Sequence, residues 1–139
     1  MNAPSVQAQI TSRLRRIGLR PTRQRIDLAS LMFVGEDHHM TAESLHKDAA
    51  DAGVSVSLAT VYNTLHQFTA AGLLREIVVD SGRSYFDTNT SVHHHFFFED
   101  KGILEDIPSE DVVLSQLPDA PTGSKISRID VIVRVTDAA

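Results

Sequence analysis

The sequence predicts an α+β fold: four helices, a β-hairpin, and then a small α/β unit ending in an alternating strand. Three observations predict it. Up to Gly72, glycines close four apolar stripes of helical period, three of them opened by a Thr or Ser. From Leu74 a strand-like run folds back at Asp80-Ser81-Gly82-Arg83. Near the end, Ile129, Val131, Val133 and Val135 alternate with polar residues.

The 139 residues suffice for one ordinary core or two small ones. Two are expected here, residues 1–88 and residues 89–139, and self-association is the natural way for the second to bury its apolar faces. Composition is globular, with 42% apolar residues. Cysteine is absent, which excludes disulfides, thiolate metal sites and iron–sulfur clusters. The first twenty residues lack the basic start and apolar run of an export signal, and no membrane-length segment follows. The expected location is therefore cytoplasmic, with no membrane partner.

A formal net charge of −5 argues weakly against nucleic acid, but its distribution argues the other way. Arg13, Arg15, Arg16, Arg20, Arg23 and Arg25 all precede the first acidic residue, Asp27. Residues 88–139 carry four basic groups against nine acidic ones. The cationic charge is gathered in the N-terminal part, where it faces an anion or merely solvates a helix.

Val6, Ile10, Leu14 and Ile17 share one face of a first helix stopped at Gly18. Thr22 caps a second after Pro21, with Ile26, Ala29 and Phe33 apolar, ending near Gly35. Thr41 caps a third, containing Leu45, Ala49 and Ala50. Ser57 caps a fourth, in which Val61, Leu65 and Phe68 face inward and Thr60, Asn63 and Gln67 lie elsewhere, close to Tyr62 and His66. Helices three and four form a helix-turn-helix. The hairpin after them reads as a wing, and the head as a winged helix whose fourth helix has the short polar side chains a major groove accepts.

Individual residues carry two readings each. Arg83 at the wing tip meets phosphate or a narrow minor groove, or is a solvated turn residue. Tyr62 is a partly buried helix residue or a phosphate-binding hydroxyl; Asn63 reads adenine or solvates the surface. His66 reads as an exposed polar neighbour, and nothing nearby completes a catalytic triad.

His93-His94-His95, directly before Phe96-Phe97-Phe98, is the densest chemical feature. In a strand, His93 and His95 share a face with Phe97, while His94 shares the other with Phe96 and Phe98. His-x-His chelates well but leaves ligands to be found elsewhere. His39, in the loop between helices two and three, and the carboxylates Asp87 and Asp106 are the natural candidates. His94 joins a second metal site, ligates haem, or faces a neighbouring subunit. Beyond these, Ile103, Leu104 and Ile107 continue the tail, and Glu110 to Leu117 reads as a short helix.

At this point the chain resembles the ferric uptake regulator family, most closely its iron response regulator branch, Irr, of alpha-proteobacteria. The resemblance covers nearly the whole chain. It is carried by Gly18-Leu19-Arg20-Pro21-Thr22-Arg23-Gln24-Arg25, by His39-Met40-Thr41-Ala42-Glu43, and by Ser57-Leu58-Ala59-Thr60-Val61-Tyr62-Asn63-Thr64-Leu65. It implies a homodimeric, iron- or haem-responsive transcriptional regulator, a repressor that binds AT-rich duplex DNA. The groove-facing set is then Ala59, Thr60, Tyr62 and Asn63, with Arg20 touching DNA ahead of helix two. Asn63 stands where many relatives have Arg.

The resemblance also maps the interdomain ligands of a divalent metal (Mn, Fe or Zn) onto His39, Asp87, His93, His95 and Asp106. A shorter loop before His93 makes Phe86 a competing alignment for Asp87, but Phe cannot ligate. The family's Cys-x-x-Cys is replaced by Glu99-Asp100-Lys101, so its thiolate zinc site is absent, and no histidine follows His95. In Irr-like proteins the segment matching His93, His94 and His95 is associated with haem, which implies haem or a haem-delivering protein as partner. Two other classes compete. A metal-dependent hydrolase lacks a general acid or base, so no enzyme is expected. A winged-helix module that binds metal or recruits protein, without sequence-specific DNA function, would lack a cationic recognition face.

Overall fold

A computed structural model describes residues 5–138; residues 1–4 and 139, the outer ends of the two expected domains, lie outside the described residues. The chain divides into two compact units between Thr90 and Ser91. No described helix is long and apolar enough to cross a membrane.

In the first unit, helices form where an apolar stripe and a cap coincide. α1 (Val6–Arg16) begins at Ser5, whose hydroxyl accepts the Ala8 N–H, and buries Ile10 and Leu14. α2 (Arg23–Met32) starts after Thr22, whose side chain accepts from the Arg25 N–H. α3 (Ala42–Asp51) opens with a reciprocal box in which the Thr41 and Ser44 side chains each accept the other's backbone N–H. α4 (Leu58–Ala70) is capped by Ser57 through the Thr60 N–H. Each cap satisfies an N–H that helix geometry leaves without an acceptor, worth about 1 kcal/mol.

The end of α4 is set by Gly72 at φ +84°, a left-handed backbone that a side chain would strain. There the Gly72 N–H donates to the Thr69 carbonyl and the Leu73 N–H to the Phe68 carbonyl. The same two-bond stop recurs after α1 and α3. The helices pack over Leu14, Leu28, Met32, Leu45, Leu65 and Phe68, each at most 2% exposed.

Strands β1 (His39–Met40), β2 (Arg75–Asp80) and β3 (Arg83–Asp87) form an antiparallel sheet in the order β1-β3-β2. β2 and β3 are the expected wing, with Ile77 opposite Tyr85 and a register slip between Val78 and Asp80. The His38-His39 loop differs from expectation, because His39–Met40 pairs with β3 as a strand, His39 opposite Asp87 and Met40 opposite Phe86. Two residues are too few to display a period of two. Met40 and Phe86 are both buried in the core cluster, which holds this short strand against β3.

In the second unit β4 (His93–Phe98) lies between β5 (Ile103–Pro108), antiparallel, and β6 (Ile132–Val135), parallel. Register puts His95 opposite Asp106 and Phe97 opposite Leu104, and on the other face His94 opposite Ile107 and Phe96 opposite Glu105. The expected helix Glu110–Leu117 does not form: a 3-10 turn covers Ser109–Asp111, and no helix or strand runs from 112 to 131. Val113, Leu114 and Leu117 are 84%, 45% and 50% exposed, so nothing in this unit rewards an amphipathic face. A helix this short, with adjacent β-branched Val112 and Val113, does not hold itself together in water. The last strand also starts later than Ile129. The Val131 N–H donates to the His94 ring, not to a strand carbonyl, and the regular ladder begins after it.

Candidate nucleic-acid face and metal-ligand clusters

With Val61, Leu65 and Phe68 turned inward, α4 leaves Ala59, Asn63, His66 and Gln67 exposed and Thr60 and Tyr62 half-buried. A cleft between α4 and the start of α2 is lined by Arg20, Gln24, Arg25, Thr60, Asn63 and Gln67 among others, and none of its lining residues is a carboxylate. Short polar groups beside guanidinium groups match the edges and phosphates of a duplex groove.

The arginine run is less uniform than its sequence suggests. Arg23 pairs with Asp27 at 3.2 Å, and the Arg13 guanidinium stands 4.6 Å from the Phe33 ring centroid. Arg25 donates to the Arg20 carbonyl and the Gln67 side chain. Arg15, Arg16 and Arg20 remain exposed. At the wing tip Arg83 forms an ion pair with Asp80, so part of its charge is compensated within the turn.

The Tyr62 hydroxyl donates to Glu43 Oε1 at 2.8 Å, tying the exposed side of α4 to α3. That hydrogen bond to the Glu43 carboxylate raises the tyrosine above its ordinary value, with burial and the charge of Glu43 adding to it. His66 stacks beside Tyr62 and meets Phe86 edge-on, the place of a polar neighbour. Glu43 as partner of Tyr62, and Gln67 as partner of Arg25, escape sequence reasoning. They lie 19 and 42 residues away, beyond any local periodicity.

Among the described residues, metal-competent groups stand together within each unit. In the first, register brings His39 opposite Asp87, and His39 Nε2 lies 3.1 Å from Asp87 Oδ2. Asp87 is 1% exposed, and its other oxygen accepts the Asn89 N–H. Phe86, the competing alignment, points into the core.

In the second unit His93 and His95 project from one face of β4, ring centroids 4.6 Å apart, and each Nε2 lies 3.4 Å from the same Asp106 oxygen. Ligand atoms of His93, His95 and Asp106 lie within 4.8 Å of one another. The His93 Nδ1 is 2.7 Å from the Ser91 carbonyl, so it donates there and leaves Nε2 facing Asp106. Either a proton on Nε2 or a bound cation can stand between such a nitrogen and the carboxylate. Nitrogen and carboxylate donors of this kind fit a divalent Mn, Fe or Zn ion.

His94 points to the opposite face, where its Nδ1 accepts the Val131 N–H at 3.1 Å, and it is 6% exposed. The neutral ring then carries its proton on Nε2. That donor set does not fit axial ligation of haem, which needs an accessible unprotonated nitrogen. A haem iron at His94 would need this hydrogen bond broken and the ring proton moved to Nδ1.

The profile of the "Ferric uptake regulator family" matches residues 16–133. The Ferric uptake regulation protein of Pseudomonas aeruginosa is 39% identical over 101 residues, 71% of this chain and 75% of that protein. That of Escherichia coli is 37% identical over 82 residues, and the match spans 59% of this chain and 55% of that protein. Among solved structures, the Ferric uptake regulator from Pseudomonas aeruginosa with manganese superposes with a TM-score of 0.71 at 28% identity, covering 94% of this chain and 98% of that one. The Vibrio cholerae ferric uptake regulator shares the fold, with a TM-score of 0.72 at 23% identity over 91% of this chain and 98% of the other. With most of its length matched by the profile and a close relative, this chain belongs to the ferric uptake regulator family, whose members are DNA-binding transcriptional regulators and not enzymes.

Proposed function

We propose that this chain is a metal-responsive, homodimeric repressor that binds AT-rich operator duplexes through its first unit and senses a divalent metal through ligands from both units. The observation that carries the reading is the carboxylate-free cleft between Arg20 and the polar face of α4. In this reading Ala59, Thr60, Tyr62 and Asn63 face the major groove, and Arg20 and Arg83 approach the backbone. The bond from Tyr62 to Glu43 favours a groove-facing ring over a phosphate-bound hydroxyl.

His39 and Asp87 would join His93, His95 and Asp106 around one ion, which would couple head to tail. Residues 1–88 then serve as the DNA-binding domain and 89–139 as the dimerisation and sensing domain, acting in the cytoplasm. A second copy suits the apolar residues that the tail exposes, Ile103, Val113, Leu117 and Val133. Placement in the Irr branch rests on the resemblance of the chain to that branch, and a haem response or haem-delivering partner on its segment His93, His94 and His95, where the Val131 N–H occupies the Nδ1 of His94.

Selection of random duplexes by purified protein, with and without Mn2+, Fe2+, Zn2+ and haem, tests the reading. An AT-rich near-palindrome is expected, bound with an affinity that falls steeply with salt and changes with divalent metal. No duplex selected, or a binding insensitive to salt, removes the DNA function and leaves a metal-binding or protein-recruiting module.

A further inference from the structure

Arg25 is not among the residues assigned above to DNA, yet it makes the most connected polar contact on that face. Its Nη1 donates to the Arg20 carbonyl at 2.8 Å, while Nε and Nη2 both donate to Gln67 Oε1 at 3.3 and 3.0 Å. It thus links the segment ahead of α2 to the far end of the recognition helix. An arginine has only donors, so whichever atom of the Gln67 amide faces it must be the oxygen. The amide nitrogen is then turned away from Arg25, and among the described residues nothing accepts from it. Gln67 stands one turn beyond Asn63, exposed, on the rim of the same carboxylate-free cleft.

We infer that Arg25 is a positioning residue for duplex recognition: it locks Gln67 into presenting only N–H donors and holds the Arg20 backbone beside them. A free glutamine amide rotates to suit a donor or an acceptor and pairs with adenine through both. One whose oxygen is occupied by a guanidinium serves only acceptors, such as phosphate oxygens, guanine N7 and O6, or thymine O4. Arg25 therefore narrows what the C-terminal part of α4 accepts, without itself needing to touch the duplex.

The inference rests on the duplex-binding reading of the first unit. The test is titration of the selected operator with wild-type protein, Arg25→Lys, Gln67→Ala, their double variant, Gln67→Glu and Gln24→Glu, with melting temperatures for each. Lysine keeps the charge but has no planar fork. Arg25→Lys is expected to weaken operator binding by about tenfold with an unchanged salt slope, and by less than about twofold once Gln67 is already alanine. In Gln67→Glu a carboxylate keeps the tie to Arg25 but offers no donor. It should bind at least about tenfold more weakly than Gln24→Glu, which puts the same charge in the same cleft, while melting no lower than wild type. Wild-type affinity in Arg25→Lys, or an equal loss in both Gln67 backgrounds, including one caused by poor folding, overturns the inference. So does a Gln67→Glu variant no weaker than Gln24→Glu. Failure of the wild-type protein to bind any duplex is a separate result, which removes the underlying reading and this one with it.

Discussion

The two units solve the problem of being small in different ways. The first buries a continuous cluster from Ile10 to Phe86, caps each of its helices at the N-terminus and ends three of them with the same two-bond stop. The second buries Phe97, Leu104 and Ile107 together with three histidines, while Val92, Ile103, Val113, Leu114, Leu117, Ile126 and Val133 stay exposed. One is stabilised by its own core. The other keeps its best-packed strand loaded with imidazoles and leaves much of its apolar area exposed.

The largest test of this contrast is at the ligands. His95→Ala is expected to lower divalent-metal affinity by at least about 100-fold in equilibrium titration and to abolish the metal-dependent change in DNA affinity. His94→Ala, on the opposite face of the same strand, should leave metal stoichiometry intact. Equal loss in both variants would mean that the two faces of β4 are not separate.

Packing comes next. Phe68→Ala should cost about 3–5 kcal/mol in urea unfolding, since the side chain is fully buried among large neighbours. Leu117→Ala in dilute protein should change stability by no more than about 0.5 kcal/mol. A large effect of Leu117 at high dilution would give the tail an internal core that its exposure denies.

Val133→Asp puts a charge on the exposed side of β6, beside Phe96 in register. Sedimentation should show dimerisation weakened by at least about tenfold, with the unfolding of the first unit unchanged. A dimer as tight as the parent would move the interface off this face of the sheet.

The smallest effect concerns Tyr62. Its neutral hydroxyl donates to Glu43, so it should titrate above the ordinary tyrosine value of 10.0, and Glu43→Gln should bring it back down. The raised folded value means that this contribution to stability is complete below the ordinary value and is lost as pH rises through the folded one. Ultraviolet difference titration of Tyr62→Phe against wild type reads it directly, and an ordinary midpoint in wild type would break the tie between α3 and α4.

Much of the head is written in residues a few positions apart. Thr22, Thr41 and Ser57 as caps, Gly18, Gly53 and Gly72 as stops, and the inward stripe of α4 are relations of three to five residues, which local geometry alone dictates. His93 and His95 on one face of a strand, with His94 on the other, follow from a period of two. Other features come from closures across long stretches of chain, where packing, and no periodicity, selects the partner. These include the pairing of His39 with Asp87 through a two-residue strand, the meeting of Arg25 with Gln67, and the capture of the Val131 N–H by His94. The segment from Glu110 to Leu117 marks the boundary between the two kinds of information. Its residues carry a helical stripe, but a stripe becomes a helix only when a surface receives it, and in this unit none does.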